Sequence, residues 1–298
     1  MKQCIGVLGN DQGHWVGDGF PVRTLFFYQE HGQQMSPFLM LDFAGPAEFS
    51  PSEKSRGVGS HPHRGFETVT IVYEGEVAHA DSAGNGGTIG PGDVQWMTAG
   101  AGILHEEFHS RQFTQEGGVL NMVQLWVNLP AKHKMTQPNY QAILNDGIPR
   151  IVLHKIMPNQ ERQTIGAVRI IAGSYEGIKG PANTFTPMNV LDLSLQKGET
   201  WTMPAPEGWN TSIVVLKGKL TAGELEAGNV AQDAQMLVFS KSGQEATITA
   251  LEDTSALILS GEPIDEPIVG YGPFVMNTKE EIAKAISDFN SGNFGKIH

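Results

Sequence analysis

A chain of 298 residues is long enough for about two domains, each with its own core. Its 32 acidic against 20 basic residues leave a formal net charge of -12, which repels a phosphate backbone and argues against direct nucleic-acid binding. With 40% hydrophobic and 17% charged residues the chain is neither disordered nor a coiled coil, and its 36 glycines and 17 prolines fit many short strands joined by tight turns. Cys4 is the single cysteine, so no intrachain disulfide forms and the redox compartment stays open. The N-terminal residues carry too short an apolar run for a signal peptide, and no segment approaches the ~20 apolar residues of a membrane span. A soluble cytoplasmic protein, mostly β, is the expectation.

In chain order, Phe20 to Tyr28 and Pro37 to Phe43 read as strands, with a polar turn from Glu30 to Gln34 between them. Met40, Phe43 and Phe66 are apolar residues that could line a pocket. After His61-Pro62-His63, the β-branched run Thr68 to Tyr73 ends at Glu74-Gly75, a hairpin signal, and Val77 to Ala80 returns with His79 in it. Asp81 to Gly87 reads as a loop and Val94 to Met97 as a strand. Gly100 and Gly102 are small residues that leave room just before His105. Leu120 to Leu129 is a further strand, in which Gln124, Trp126 and Asn128 alternate with Val123, Leu125 and Val127. From Ala131 to Pro149 the composition turns polar and proline-bearing, as in a connection, and Ile151 to Ile156 begins a second barrel.

The histidines give this pattern its chemistry. Residues two apart on a strand face the same way, with Cα atoms about 6.5 Å apart, so His61 and His63 can converge on one ion. His105 and Glu107 can approach from a second strand and complete three imidazoles plus a carboxylate. Imidazole suits iron, zinc, copper and nickel, and a carboxylate favours harder ions such as iron or manganese. Such a set leaves coordination positions open for substrate or oxygen. A single His-x-His would be ordinary structural histidine; two ligand pairs about forty residues apart, with strand signals between them, favour a metal.

A faint internal repeat follows. Val72 to Val77 resembles Val215 to Leu220, and Gly92-Asp93-Val94 is echoed by Gly228-Asn229-Val230. At the offset of the first match, Pro204 and Pro206 stand where His61 and His63 stood, and no histidine occurs between Lys155 and Ile297. A second copy of the barrel therefore cannot carry the same site. At the C-terminus Thr278-Lys-Glu-Glu281 is a capping box, Ile282, Ala285, Ile286 and Phe289 share one helical face, and Gly292 can stop the helix. The site-bearing barrel is the surface this face is expected to cover.

The run His61-Pro62-His63-Arg64-Gly65-Phe66-Glu67-Thr68-Val69 closely resembles the signature of the pirin family, a branch of the cupin superfamily. Pro91-Gly92-Asp93-Val94-Gln95-Trp96-Met97-Thr98-Ala99-Gly100, Gln124 to Pro130 and Gly272 to Thr278 extend the resemblance over nearly the full length. It implies a mostly β bicupin: two tandem cupin, jelly-roll-like barrels with a C-terminal α-helix. Residues 1–134 would form the metal-binding barrel. Residues 135–298 would form a barrel without a metal site, ending in a helix at about 278–290. Carried over by position, the ligands are His61, His63, His105 and Glu107. The general cupin pattern would take its acidic ligand from Glu67; in pirins the acid two residues after the last histidine does so, which leaves Glu67 and His79 as partners behind the ligands.

The resemblance implies Fe(II) as cofactor, with Ni, Mn, Co or Zn compatible with the same ligands. It implies quercetin 2,3-dioxygenase-like cleavage of a flavonol ring with molecular oxygen and release of carbon monoxide, Glu107 acting as the base for the flavonol 3-hydroxyl. The alternative it carries is a sensor of metal redox state that binds and regulates a transcription factor or a metabolic enzyme. A small aromatic substrate such as a flavonol, a protein partner, no membrane and a monomeric state complete the expectation.

Overall fold

The computed structural model describes residues 1–223 and 229–297, so Gly228 of the repeat lies outside the described residues. The chain forms two compact units. One comprises residues 11–33, 37–145 and 264–298, the other residues 1–10, 34–36 and 146–263. The division falls after Asn145 rather than near residue 134. The polar stretch read as a connector contains a strand, Asn139–Ile143, which pairs antiparallel with Val94–Thr98 and adds an edge to the first barrel. The opening strand Cys4–Gly9 pairs with Gln235–Phe239 of the second barrel, and residues 264–298 belong with the first.

In the first unit a seven-stranded antiparallel sheet runs Asn139–Ile143, Val94–Thr98, Phe66–Glu74, Gly118–Asn128, Phe38–Phe49, Phe20–Phe27 and His14–Val16. A four-stranded sheet runs Gly57–His63, Ile103–His109, Val77–Asp81 and Gly86–Ile89. The two close over a core in which Phe20, Val22, Val72, Leu120 and Met122 of the larger sheet meet Val77 and Ile89 of the smaller. The expected polar turn at Glu30 to Gln34 is instead part of a helix, Tyr28–Met35, broken at Gly32. Part of the expected loop after Asp81 is the short strand Gly86–Ile89.

The second unit repeats the plan, a seven-stranded and a four-stranded sheet. The two hairpins matched in the sequence correspond: Gly75 and Gly218 each turn at positive φ, 84° and 93°, a conformation open to glycine without strain. By strand pairing Trp201 and Met203, rather than the exposed Pro204 and Pro206, take the places of His61 and His63: Trp201 faces Ile248 and Met203 faces Ala246, as His61 faces His105 and His63 faces Ile103, and all four are core side chains of the second barrel. The C-terminal helix Lys279–Asn290 begins at the predicted cap, with both reciprocal bonds of the Thr278–Glu281 box formed. Its face of Ile282, Ala285 and Ile286 packs with Phe274, Met276, Phe294 and Leu104 in the first unit. None of the helices among the described residues is long and apolar enough to cross a membrane.

Candidate metal centre

The strand Ile103–His109 alternates buried and half-buried positions, which turns His105, Glu107 and His109 inward and Glu106 outward. Its neighbour Gly57–His63 pairs His61 with His105, and a register shift between His105 and Glu107 admits an extra residue there. Such a bulge re-aims the residues beside it. The His61 ring is held by its own strand, Nδ1 lying 2.9 Å from the Gly59 carbonyl.

One nitrogen from each of His61, His63 and His105 lies within 4.8 Å of the others, among the described residues the one group of at least three such side chains that could hold a metal. Ring centroids are 4.9 Å (His61 to His63), 4.2 Å (His61 to His105) and 4.8 Å (His63 to His105) apart. His63 and His105 are buried and His61 reaches the surface. Both nitrogens of His105 and Nδ1 of His63 have no hydrogen-bond partner. A buried imidazole nitrogen left unpaired is costly, and one nitrogen from each of the three rings is close enough to the others for a single ion to satisfy them. Burial, then the neighbouring imidazoles, holds the His63 and His105 pKa values well below the usual histidine range. These rings are therefore neutral near pH 7, the form that ligates. The donor set fits a divalent metal.

Glu107 stands next on the same face but outside that close group. Its Oε1 accepts from the Thr70 hydroxyl (3.2 Å) and its Oε2 from the Gln124 amide (2.9 Å). Burial pushes its pKa up, against the opposing influence of His61 and the two donors. A cavity of about 20 Å³ beneath it is lined by Val22, Asp42, Met122 and Gln124, among others. On the other side Phe66 and Trp126, 4.2 Å apart, form an aromatic wall at 5.1 and 5.4 Å from His63. Trp126 Nε1 is buried without a partner. Met40 is the strand partner of Trp126; Phe43 lies instead beneath the Arg23 guanidinium.

Glu67 is not behind the histidines. Thr70 and Gln124 reach Glu107 from one face of the large sheet, and Glu67, an odd number of positions from Thr70, points to the opposite face. There it accepts from Thr98 Oγ1 (2.7 Å), and burial raises its pKa to about 7. His79 is the strand partner of Glu107. The Tyr140 hydroxyl lies 2.6 Å from its Nε2 and the two rings stack at 4.7 Å. Tyr140 went unread because its strand looked like a connector. The room left by Gly100 and Gly102 is filled by protein: a Cβ on Gly100 would strike the Thr136 carbonyl, and one on Gly102 the Phe294 ring. His109, two residues after Glu107, shares the buried face of its strand, a spacing visible in the sequence. It lies away from the site, with Nε2 2.8 Å from the Gly19 carbonyl and Phe20, Phe49 and Phe113 around its ring.

Two antiparallel barrels with a histidine triad in one of them define a protein of the cupin class. The chain matches the family Pirin over residues 19–127 and the Pirin C-terminal cupin domain over residues 190–295. A Pseudomonas aeruginosa protein provisionally named a quercetin 2,3-dioxygenase is 52% identical, over 100% of both chains. Pirin of Homo sapiens is 35% identical over 99% of this chain and 94% of its own. The crystal structure of a quercetin 2,3-dioxygenase from Acinetobacter baumannii shares 53% identity and a TM-score of 0.93, covering 100% of each chain. The chain belongs to the pirin family.

Proposed function

We propose that this protein is a metal-dependent dioxygenase that opens a flavonol ring with molecular oxygen, as a quercetin 2,3-dioxygenase does. The observation that carries the reading is the set of unpartnered, buried imidazole nitrogens beside a carboxylate held by two donors. His61, His63 and His105 would hold the metal, Fe(II) first and Ni, Mn, Co or Zn as substitutes. Glu107, next on the same face, would be the fourth ligand and the base. Each of its oxygens keeps a second lone pair beyond the bond from Thr70 or Gln124, so ligation and these bonds are compatible.

A bound divalent metal supplies Lewis acidity, which lowers the pKa of a hydroxyl placed on it. The rest is done by the chain. Glu107, its pKa raised by burial, takes the flavonol 3-hydroxyl proton, and Thr70 and Gln124 keep its oxygens aimed. Phe66, fully buried, and Trp126 pack beside His63 and hold its ring from the apolar side. A three-ring flavonol is far larger than the 20 Å³ cavity beside Glu107, so it would approach from the side of His61, the half-buried member of the triad. The relatives named as quercetin 2,3-dioxygenases support the same reading.

A second reading, a metal-redox sensor that binds a transcription regulator or metabolic enzyme, uses the same four side chains. Reconstitution with each metal in turn, followed by quercetin and oxygen, separates the two. Flavonol loss with catalytic turnover in the ferrous form supports the dioxygenase. Metal uptake without flavonol loss in any form overturns it.

A further inference from the structure

The strand Gly57–His63 is an edge strand, paired only with Ile103–His109, and it ends at His63. A metal site works only when its ligands are held to within about 0.5 Å. The open end of this strand therefore needs a hold from elsewhere, and the C-terminal segment from Pro273 to Phe294 supplies it.

On one side that segment grips Arg64, the residue after His63. The Arg64 amide donates to the Pro273 carbonyl (3.3 Å) and its carbonyl accepts from the Val275 amide (3.1 Å). Its guanidinium, 5% exposed, donates to the Ala101 carbonyl (2.7 Å) and to Asp288 Oδ2 (2.9 Å), and lies 4.7 Å over the Phe294 ring. On the other side the Ser82 hydroxyl donates to the Phe294 carbonyl (2.6 Å) and accepts from the amide of Leu104 (3.0 Å), the residue before His105. Gly65 and Gly102, at φ 89° and 129°, lie against the same segment; a Cβ on either would collide with Val275 or Phe294.

We propose that Asp288 is a positioning residue for the metal centre. Through Arg64 it fixes the open end of the strand carrying His61 and His63, while Ser82 ties the same segment to the strand carrying His105. The inference rests on the three-histidine metal site proposed above. Outer partners that orient ligands typically change metal affinity by about 10–100-fold when removed.

The test uses the full chain loaded with Co(II), whose visible spectrum reports ligand geometry, and follows release of cobalt to excess chelator. Asp288→Asn is expected to release cobalt at least about tenfold faster than the wild type and to shift the spectrum, with Asp288→Glu recovering most of both. Lys284→Ala removes an exposed partner of Asp288 and leaves both unchanged. Ser82→Ala, from the opposite arm, speeds release in the same direction and serves if Asp288→Asn folds poorly. Wild-type release and spectrum in Asp288→Asn and Ser82→Ala, even with lowered melting temperatures, would overturn the proposal and leave the metal site standing. A wild-type chain that takes up no cobalt overturns the metal site itself, and the positioning role with it.

Discussion

His105 is 1% exposed and neither ring nitrogen has a partner in the protein, so without a metal this imidazole costs folding free energy. Replacing the ring with an apolar side chain relieves that cost. His105→Leu is expected to abolish metal uptake yet stabilise the chain in chelator by about 1–3 kcal/mol, read from thermal melts. A lower melting temperature in chelator would mean the nitrogens are satisfied without an ion. Glu67 gives a pH signature. The unfolded chain ionises this carboxyl near 4.5, whereas burial in the folded chain holds its proton up to about 7. The stability it contributes is complete below the lower value and lost as pH rises through the higher. Glu67→Gln should therefore gain on the wild type from pH 4.5 to 7, by up to roughly 3 kcal/mol, and gain no more above. Denaturant titrations at pH 4.5, 6 and 8 measure it, and a pH-independent difference would refute it. The family resemblance set Glu67 behind the ligands; Gly65, at φ 89° between the strands that carry His63 and Glu67, breaks the alternation that would relate the two. By contrast, the two-residue spacing within a single strand brings His61 and His63 together and turns His105 and Glu107 to the same buried face.

Among the elements, those with strong local signals were legible and those completed by pairing were not. The C-terminal helix was visible from its capping box and apolar face, both local features. The strand Asn139–Ile143 was not, because an edge strand in polar company carries no apolar alternation, and only its ladder with Val94–Thr98 defines it. This strand delivers Tyr140 to His79. Tyr140→Phe removes the hydroxyl from a buried imidazole and is expected to cost about 1–3 kcal/mol, measured by denaturant unfolding. An unchanged stability would show that the hydroxyl is replaceable by solvent.

Across the whole molecule the duplicated seven-plus-four plan serves two ends. One barrel encloses histidines and the other is packed with apolar side chains at the corresponding place. The repeat and the absence of histidine between Lys155 and Ile297 made this asymmetry readable, but the assignment of the terminal segments was not, since Cys4–Gly9 finds its partner more than two hundred residues away. One metal per chain is the expected stoichiometry by elemental analysis, lost in His61→Ala; two per chain would contradict a single centre.

The most direct measurement is a single turnover of the ferrous protein with quercetin and oxygen, with carbon monoxide quantified for the wild type and Glu107→Gln. About one carbon monoxide per flavonol consumed in the wild type, and none in the variant although it still binds iron, is the expected result. Equal release from both would remove Glu107 from the chemistry, and none from either would contradict the dioxygenase.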